Sequence, residues 1–576
     1  MNCRRFPILP LFCILVACSA REDAPHTREN LHPIPRSALR ADTSGTFGGV
    51  LRIPLLGEPV TFNPVSAQDT RSRTITYLTS ATLLEFDPHA QQVVDGIAIR
   101  RGSSDDGLRM TLELRRDINF SDGNPVSLDD VLFTFEEIYR PESANPLKSI
   151  LTIEGQHLKV RAVGNFQFEV VFPAPYAAAE YILTKIPVLP KHRFQDFGKG
   201  IEDYWNLDTP PEEMAGLGPF VVREHSSGQR TTLEFNPHYW KIDREGSRLP
   251  YLDGLLVEYL QDPNSHLLRI QAGELDLIDQ VIRPEDFEVL RRAPGLKVEN
   301  LGPSGHLMIL WFNLNPGLDE DKASWFHSSD FRRAISMAIS RESIVRNVYQ
   351  GAATPTWTLA PESIPRWHRA DLAPEAQGSE AARTALREAG FSWTEGRAGT
   401  VLRDGLGRPV KFRLLTTTHE ILSRTAAVIQ QDLEQLGIAV DIQSEEMRSV
   451  VSRVMGSRQY DAALMNLDIP YDPADWGSVL LSSGSMHFWR PLQEKPASPW
   501  ETRIDELMRL QNRTLDPEKR KEIVFEIQGI LAEQMPLLPL VNRNSLVAYR
   551  EDWGNIRPAG MFPYALWNAW EIYQRK

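Results

Sequence analysis

The sequence predicts an α/β protein of two or three domains, with partly parallel sheets flanked by helices. Three observations carry this. The chain has 576 residues, beyond the roughly 250–300 at which a single core stops growing. Phe412 to Thr416, Arg424 to Leu436 and Ile438 to Ile442 read as strand, helix and strand, with Gly437 closing the helix. A unit of that size lays its two strands side by side in parallel. Arg109 to Arg115 alternates, with Met110, Leu112 and Leu114 on one face, and runs through a turn into a helix that reaches Tyr139.

At the N-terminus, Arg4 and Arg5 precede an apolar run from Phe6 to Val16. The run is shorter than the roughly 20 residues a spanning helix needs, and it has the charged and apolar regions of an export signal. Leu15-Val-Ala-Cys18 resembles a bacterial lipobox, in which the cysteine becomes a lipid-bearing N-terminus. The alternative is an ordinary signal peptide cut near Ala17 or Ala20. Cys3, Cys13 and Cys18 are the three cysteines of the chain, so nothing after Cys18 forms a disulfide or a thiolate zinc site. Residues 18–46 are polar and hold several prolines, which reads as a flexible tether.

Gly48 to Pro54 opens the first strand of the folded body, and Thr74 to Leu84 reads as a helix with Tyr77, Leu78 and Ala81 inward. Asp122-Gly123 is a turn pair, since glycine accepts positive φ without steric cost. Ser127 stands three residues before Asp130 in a capping pattern, and Val131, Phe135 and Ile138 follow at helical spacing. Short alternating strands cover Leu158 to Ala162 and Phe166 to Phe172, and an aromatic, Ala-rich helix covers Tyr176 to Leu183. Leu255 to Leu260 is a strand; Asp262-Pro263 caps and starts a helix that stops at Gly273; Glu274 to Ile278 returns as a strand. In the second half, His306 to Asn315 is an apolar strand and Phe331 to Ser340 an amphipathic helix. Ser340 and Ser379 cap further helices. Tyr460 to Leu467 is a strand that runs into Asp468-Ile-Pro-Tyr-Asp-Pro-Ala-Asp-Trp476.

The composition, 42% hydrophobic and 24% charged, is that of an ordinary globular protein. A net charge of -13 argues against a nucleic-acid partner, which needs clustered Lys and Arg. Motifs for catalysis are missing. Leu481-Ser-Ser-Gly-Ser485 has the wrong order for a nucleophile elbow, and His419 to Ser423 lacks the second histidine of a zinc peptidase. Gly216-Leu-Gly218 has no third glycine at dinucleotide spacing, and there is no Walker loop. Neither a catalytic residue, a metal site nor a cofactor is expected.

The stretch Phe120 to Thr134, F-x-D-G-x-P-V-x-x-x-D-V-x-F-T, resembles the signature region of the family 5 solute-binding proteins, the dipeptide and oligopeptide receptors of bacterial ABC importers. Gly216-x-Gly-Pro-Phe220, Asn236-Pro-x-Tyr-Trp240 and Gly273-Glu-x-Asp276 resemble further motifs of that family in the same order, so the likeness runs from Gly48 to about Arg550. It implies the large, class II periplasmic-binding-protein fold with an extra subdomain in the first lobe. The implied division is a signal peptide over 1–17, a tether over 18–46, lobe I over 47–304 with a subdomain over roughly 85–210, lobe II over 305–540, and a return segment over 541–576 that packs on lobe I. It implies hinges near Gly305–Trp311 and Leu540–Asn544.

For function, the resemblance implies a monomeric, extracytoplasmic receptor, lipid-anchored to the membrane through Cys18. It would capture a peptide or peptide-like solute by hinge closure and deliver it to an ABC permease with its ATPase subunits. Relatives take nickel chelates, haem, opines and sugars as well as peptides, so the ligand class stays open, as does the membrane that holds the anchor. An exported enzyme or a sensor on the same scaffold are the other readings. The family holds the ligand's α-amine with a lobe II aspartate just after a strand. Here the "D-x-x-D-P" loop is one residue longer, leaving Asp468 and Asp472 both as candidates. Thr70, Arg71 and Ser72 fall where the family has a polar ligand rim. Trp311, Asn313, Trp357 and Trp476 fall at strand ends and loops beside the implied cleft, where aromatic walls suit an extended peptide.

Overall fold

The computed structural model describes residues 33–141, 145–194, 204–279, 282–374, 376–396 and 399–575. The export signal and Cys18 lie outside the described residues.

Two large apolar cores organise the chain. The first gathers buried side chains from Leu51 to Tyr259 together with Leu277 and Val547 to Ile572. The second gathers Leu307 to Val541. Each core surrounds its own sheet. In the first, strands 220–226, 230–235, 254–259 and 50–55 lie in that order, the last pair parallel. A separate antiparallel sheet of 98–103, 109–114, 167–171 and 159–162 forms the subdomain. In the second core, strands 277–278, 538–550, 296–312, 462–468, 411–417 and 439–445 form one sheet. The strands 411–417 and 439–445 are parallel through the helix 420–434, as the βαβ spacing predicts.

The two long strands, Leu296–Phe312 and Leu538–Arg550, pass from one core to the other. Their mutual register slips between Asn300 and Pro303 and again between Pro303 and Leu307. A bulged antiparallel pair bends more readily than a regular ladder, and this is where the chain crosses between the lobes. After the second crossing, Ala565, Leu566, Ala569 and Ile572 are buried in the first core.

The turn and helix at 120–139 form as their local chemistry dictates. Gly123 sits at φ 86°. Ser127 and Asp130 close a reciprocal capping box ahead of Leu128–Tyr139, with the Ser127 amide donating to Asp130 Oδ2 at 2.8 Å. The same Asp130 also accepts from the Lys191 amide at 2.9 Å, which ties the helix to the following segment.

Three expectations are corrected. The first helix spans Thr70–Thr79, not 74–84, because Asp69 accepts from the Ser72 amide and caps it earlier. The helix at 379 begins after Gly378 rather than after Ser379. The tether does not extend to residue 46. Leu39–Arg40 pairs in parallel with Lys241–Ile242. Arg115 donates to the Ser37 carbonyl at 2.9 Å, and Arg248 to the Pro33 carbonyl at 2.7 Å. Residues 33–46 are a strap on lobe I, held by backbone carbonyls that composition alone does not reveal.

Candidate functional site at the lobe junction

The strand Ala462–Asp468 is paired along its length with Leu296–Phe312, and its last pair sets Asp468 opposite His306. His306 Nδ1 meets Asp468 Oδ1, and His306 Nε2 lies 3.1 Å from the Tyr564 hydroxyl. In the neutral tautomer Nδ1–H donates to the carboxylate and Nε2 accepts from the phenol. Tyr564 has φ 55°, a left-handed backbone unusual for a tyrosine, and its amide donates to the Met561 carbonyl at 2.7 Å. The Asp468 side chain stays 79% exposed although residues of both lobes surround it. Partial desolvation pushes its pKa up. The His306 hydrogen bond, together with the positive charges of Arg543 and Arg73, outweighs that and holds it below the usual carboxylate range.

A second acid faces the same junction from lobe I. Asp279 follows the short strand Leu277–Ile278 and accepts from the Ala565 amide at 3.2 Å. Burial pushes it up to about 7. Two guanidiniums complete the cluster. Arg73, on the exposed side of the first helix, stacks over the Phe562 ring at 4.1 Å. Arg543 lies on the crossing strand opposite the register slip at 303–307. Both act on Asp468 and on the Tyr564 hydroxyl, which is pushed up to about 12, chiefly by burial.

The loop after Asp468 makes the contacts between the lobes. Tyr471 donates to the Gln91 carbonyl at 2.7 Å, and its ring sits 4.6 Å from Phe86 and 5.8 Å from Tyr181. Asp475 pairs with Lys185. Farther out, the Ala177 amide donates to the Asn512 carbonyl at 2.6 Å, and Arg513 pairs with Glu154. The acid and the contacts of Tyr471 and Asp475 with lobe I are therefore parts of one short loop.

The structure separates the expected site residues. Asp468 is in the junction. Asp472 is not: it is buried, accepts from Arg520 with Nη1 at 3.0 Å, and caps Ala474 at 2.9 Å. A buried carboxylate that has its own guanidinium is unavailable to a ligand. Trp476 is buried and donates to the Pro470 carbonyl. Trp311 and Asn313 are buried in lobe II. Trp311 donates to Tyr460, and Asn313 donates to the Arg458 and Tyr460 carbonyls. These three support the sheet rather than line the junction. Trp357 lies under Arg341 and lines a small recess with Gln528 and Leu537, which shares no residue with the junction cluster.

The rim residues divide in the same way. Arg71 turns back onto Asp69 at 3.1 Å. Ser72 is buried and accepts from the Val60 and Thr61 amides. Thr70 is exposed and starts the helix. Sequence reasoning missed Arg73, His306, Arg543, Tyr564 and Asp279. Only Arg73 had a signal, since it lies within the rim segment. A larger surface cavity of about 370 Å³, lined by Lys297, Trp553 and Arg575 among others, shares no residue with this cluster.

Residues 92–487 match the family described as bacterial extracellular solute-binding proteins, family 5. A probable ABC transporter-binding protein of Deinococcus radiodurans is 26% identical, covering 86% of each chain. The oligopeptide-binding protein AppA of Bacillus subtilis is 24% identical, covering 90% of each. Its structure in complex with a nonapeptide superposes with a TM-score of 0.72 at 23% identity, covering 92% of this chain and all of that one. NikA of Brucella suis, solved with Fe(III)-EDTA, gives 0.77 at 21% identity, with 92% and 100% covered.

Proposed function

Because the chain belongs to the family 5 bacterial extracellular solute-binding proteins, we propose that it is the receptor of an ABC importer that captures a peptide or peptide-like solute between its lobes. The observation that carries this is the placement of Asp468. It is an accessible carboxylate at a lobe II strand end, bonded to His306, within the field of Arg73 of lobe I, and three residues before Tyr471, which bonds across to lobe I. Asp468 takes the ligand's amine, and closure brings lobe I against the rest of the ligand. Ligand contacts to both lobes favour the closed state over the open one. The hinge reading is supported by the register slips at 300–307 on one crossing strand and 542–544 on the other. The relative AppA is an oligopeptide-binding protein, which favours peptides over the chelate seen with NikA.

The lipid anchor at Cys18, delivery to a permease, and action as a monomer belong to the same proposal. The Leu15-Val-Ala-Cys18 motif supports the anchor. Calorimetry with peptides of two to five residues, alongside metal chelates, opines and oligosaccharides, tests the ligand class. Scattering then tests closure. Peptide binding with a smaller radius of gyration is expected. Binding to none of these classes, with no compaction, sinks the reading.

A further inference from the structure

Outside the junction, the surface cavity of about 370 Å³ is within the roughly 300–1,000 Å³ of small-molecule sites. Segments far apart in the chain build it. Lys297 lies at the start of the first crossing strand, and Tyr549, its register partner, near the end of the second. Glu551, Trp553, Asn555 and Arg575 come from the return segment, where Trp553–Gly554 pairs with Tyr573–Gln574. The walls are held in place. Glu299 accepts from Lys297 Nζ at 3.0 Å and from the Tyr549 hydroxyl at 2.7 Å. The Asn555 amide nitrogen donates to Thr43 Oγ1 at 2.8 Å and to the Glu571 carbonyl at 3.1 Å. The far corner of the Trp553 ring packs against Gly49, where an added Cβ would stand 3.4 Å from it.

Two donors of this cavity are unused. Trp553 is 3% exposed, yet its indole N–H has no hydrogen-bond partner among the described residues. Trp240, Trp476 and Trp567 each donate to a backbone carbonyl, as a buried indole normally does. The Arg575 guanidinium likewise has neither an ion pair nor a hydrogen bond among the described residues, and the neighbouring Asp552 is taken by Arg550. The lining sets two cations, Lys297 and Arg575, against one acid, Glu551, in a chain of net charge -13. A concave surface with an excess of positive charge concentrates anions. An indole N–H and a guanidinium donate and never accept. A carboxylate matches the guanidinium fork, and a flat ring matches a wall of Tyr549 and Trp553. We infer that this cavity is a second ligand site, which takes a small aromatic carboxylate. Its ring lies against Tyr549 and Trp553, and its carboxylate accepts from the Trp553 indole and Arg575. The site shares no residue with the junction cluster, so it stands apart from the solute-binding reading. An occupant touches both crossing strands and the return segment, and so ties the three together at the lobe I end of the crossing.

Calorimetry and thermal shifts on the full chain with benzoate and indole-3-acetate, set against benzamide and indole-3-acetamide, test it. Both acids are expected to bind and to raise Tm. Each amide should bind about 10-fold more weakly, the loss that goes with one hydrogen bond to a charged group. Arg575 is exposed, so Arg575→Gln leaves the core alone. It should weaken both acids by about 10-fold and close the gap between acid and amide. Trp553→Phe keeps a flat ring without the N–H and should weaken the acids severalfold. Where Trp553→Phe fails to fold, Arg575→Gln decides. Asp468→Asn, at the junction, should leave the affinity for both acids unchanged. Failure of both acids to bind overturns the site, as does equal binding of acid and amide to the unaltered protein. Unchanged acid affinity in Arg575→Gln overturns it too. Loss of acid binding in Asp468→Asn puts the acids in the junction and overturns it as well.

Discussion

Tyr471 reaches from lobe II to the Gln91 carbonyl of lobe I, at 2.7 Å, and its ring packs against the touching rings of Phe86 and Tyr181. It stands three residues beyond Asp468, so any shift of that acid on ligand binding is transmitted to the contact that holds the lobes together. Replacing Tyr471 with Phe keeps the ring contacts and removes one hydrogen bond, worth about 1 kcal/mol. Scattering of Tyr471→Phe is expected to show a larger open fraction without ligand. Its affinity should fall severalfold, because ligand binding then has to supply the lost closure energy. An unchanged radius of gyration together with unchanged affinity contradicts the coupling.

Asp468 and Asp472 are four residues apart and do different work. Asp472→Asn leaves Arg520 buried beside a neutral amide, a loss of about 3–5 kcal/mol. A clear drop in Tm with little change in ligand affinity is expected. Asp468→Asn removes an exposed carboxylate, so Tm barely moves while affinity for an amine-bearing ligand falls by about 10-fold or more. Melting curves and titrations of the two variants, measured side by side, check the division. Equal affinity losses from both contradict it.

Glu501 sets the acid limit of lobe II. Burial pushes its carboxyl up, but His487, the Ala497 amide at 2.7 Å, Arg490 and the Trp489 indole together pull it down to about 2. A depressed carboxyl contributes stability that is fully present above its unfolded pKa and is lost as pH falls through the folded one. The window is therefore from about 4.5 down to about 2. The contribution is about 3 kcal/mol. Glu501→Gln should lower Tm at pH 7 and flatten the acid limb of a Tm-against-pH curve across that window.

Asp279 has the opposite sign. Its carboxyl is raised to about 7 by burial, so the folded state keeps a proton that the unfolded chain has released. Stability falls as pH rises from the ordinary aspartate range through about 7. A cationic ligand reverses this by favouring the ionised acid. The described groups beside it are the Ala565 amide, which donates to its carboxyl, and Tyr564, which feels its charge. Affinity for an amine-bearing peptide is therefore expected to rise between pH 6 and 8, and Asp279→Asn should remove that rise while raising Tm at pH 8. Calorimetry at three pH values checks both.

What the sequence disclosed follows from distance along the chain. The capping box at Ser127 and Asp130, the Asp262 cap and the parallel pair around helix 420–434 are set within a few tens of residues. Periodicity and turn chemistry reach that far. The junction was only partly legible. His306 and Asp468 are 162 residues apart and His306 and Tyr564 are 258 apart, and no local pattern joins them. The tryptophans misled because a strand end in a two-lobe protein has two sides, and Trp311 and Trp476 face the core. Arg71 and Arg73 show the same limit on one helix. Two positions apart they point to different faces, and only the cap at Asp69 shows that Arg71 is the one folded back.

The strap at 33–46 gives the last test. Arg115 is buried, with its guanidinium 5.3 Å over the Trp240 ring, and it divides its donors between the Gly96 carbonyl at 2.7 Å and the Ser37 carbonyl at 2.9 Å. The strap also supplies the Ser37 hydroxyl to the Arg116 carbonyl, and Thr43 accepts from Asn555 at 2.8 Å. A chain that starts at Phe47 loses these bonds and leaves a buried guanidinium donor without its carbonyl, at a cost of about 2 kcal/mol or more. Its Tm should fall by a few degrees while its affinity stays within twofold, because the strap touches lobe I alone and not the junction. Arg115→Ala should lower Tm in the intact chain and cost less in the truncated one, since the two changes remove a shared interaction. Full additivity of the two losses, or an unchanged Tm on truncation, means that residues 33–46 act as a tether after all.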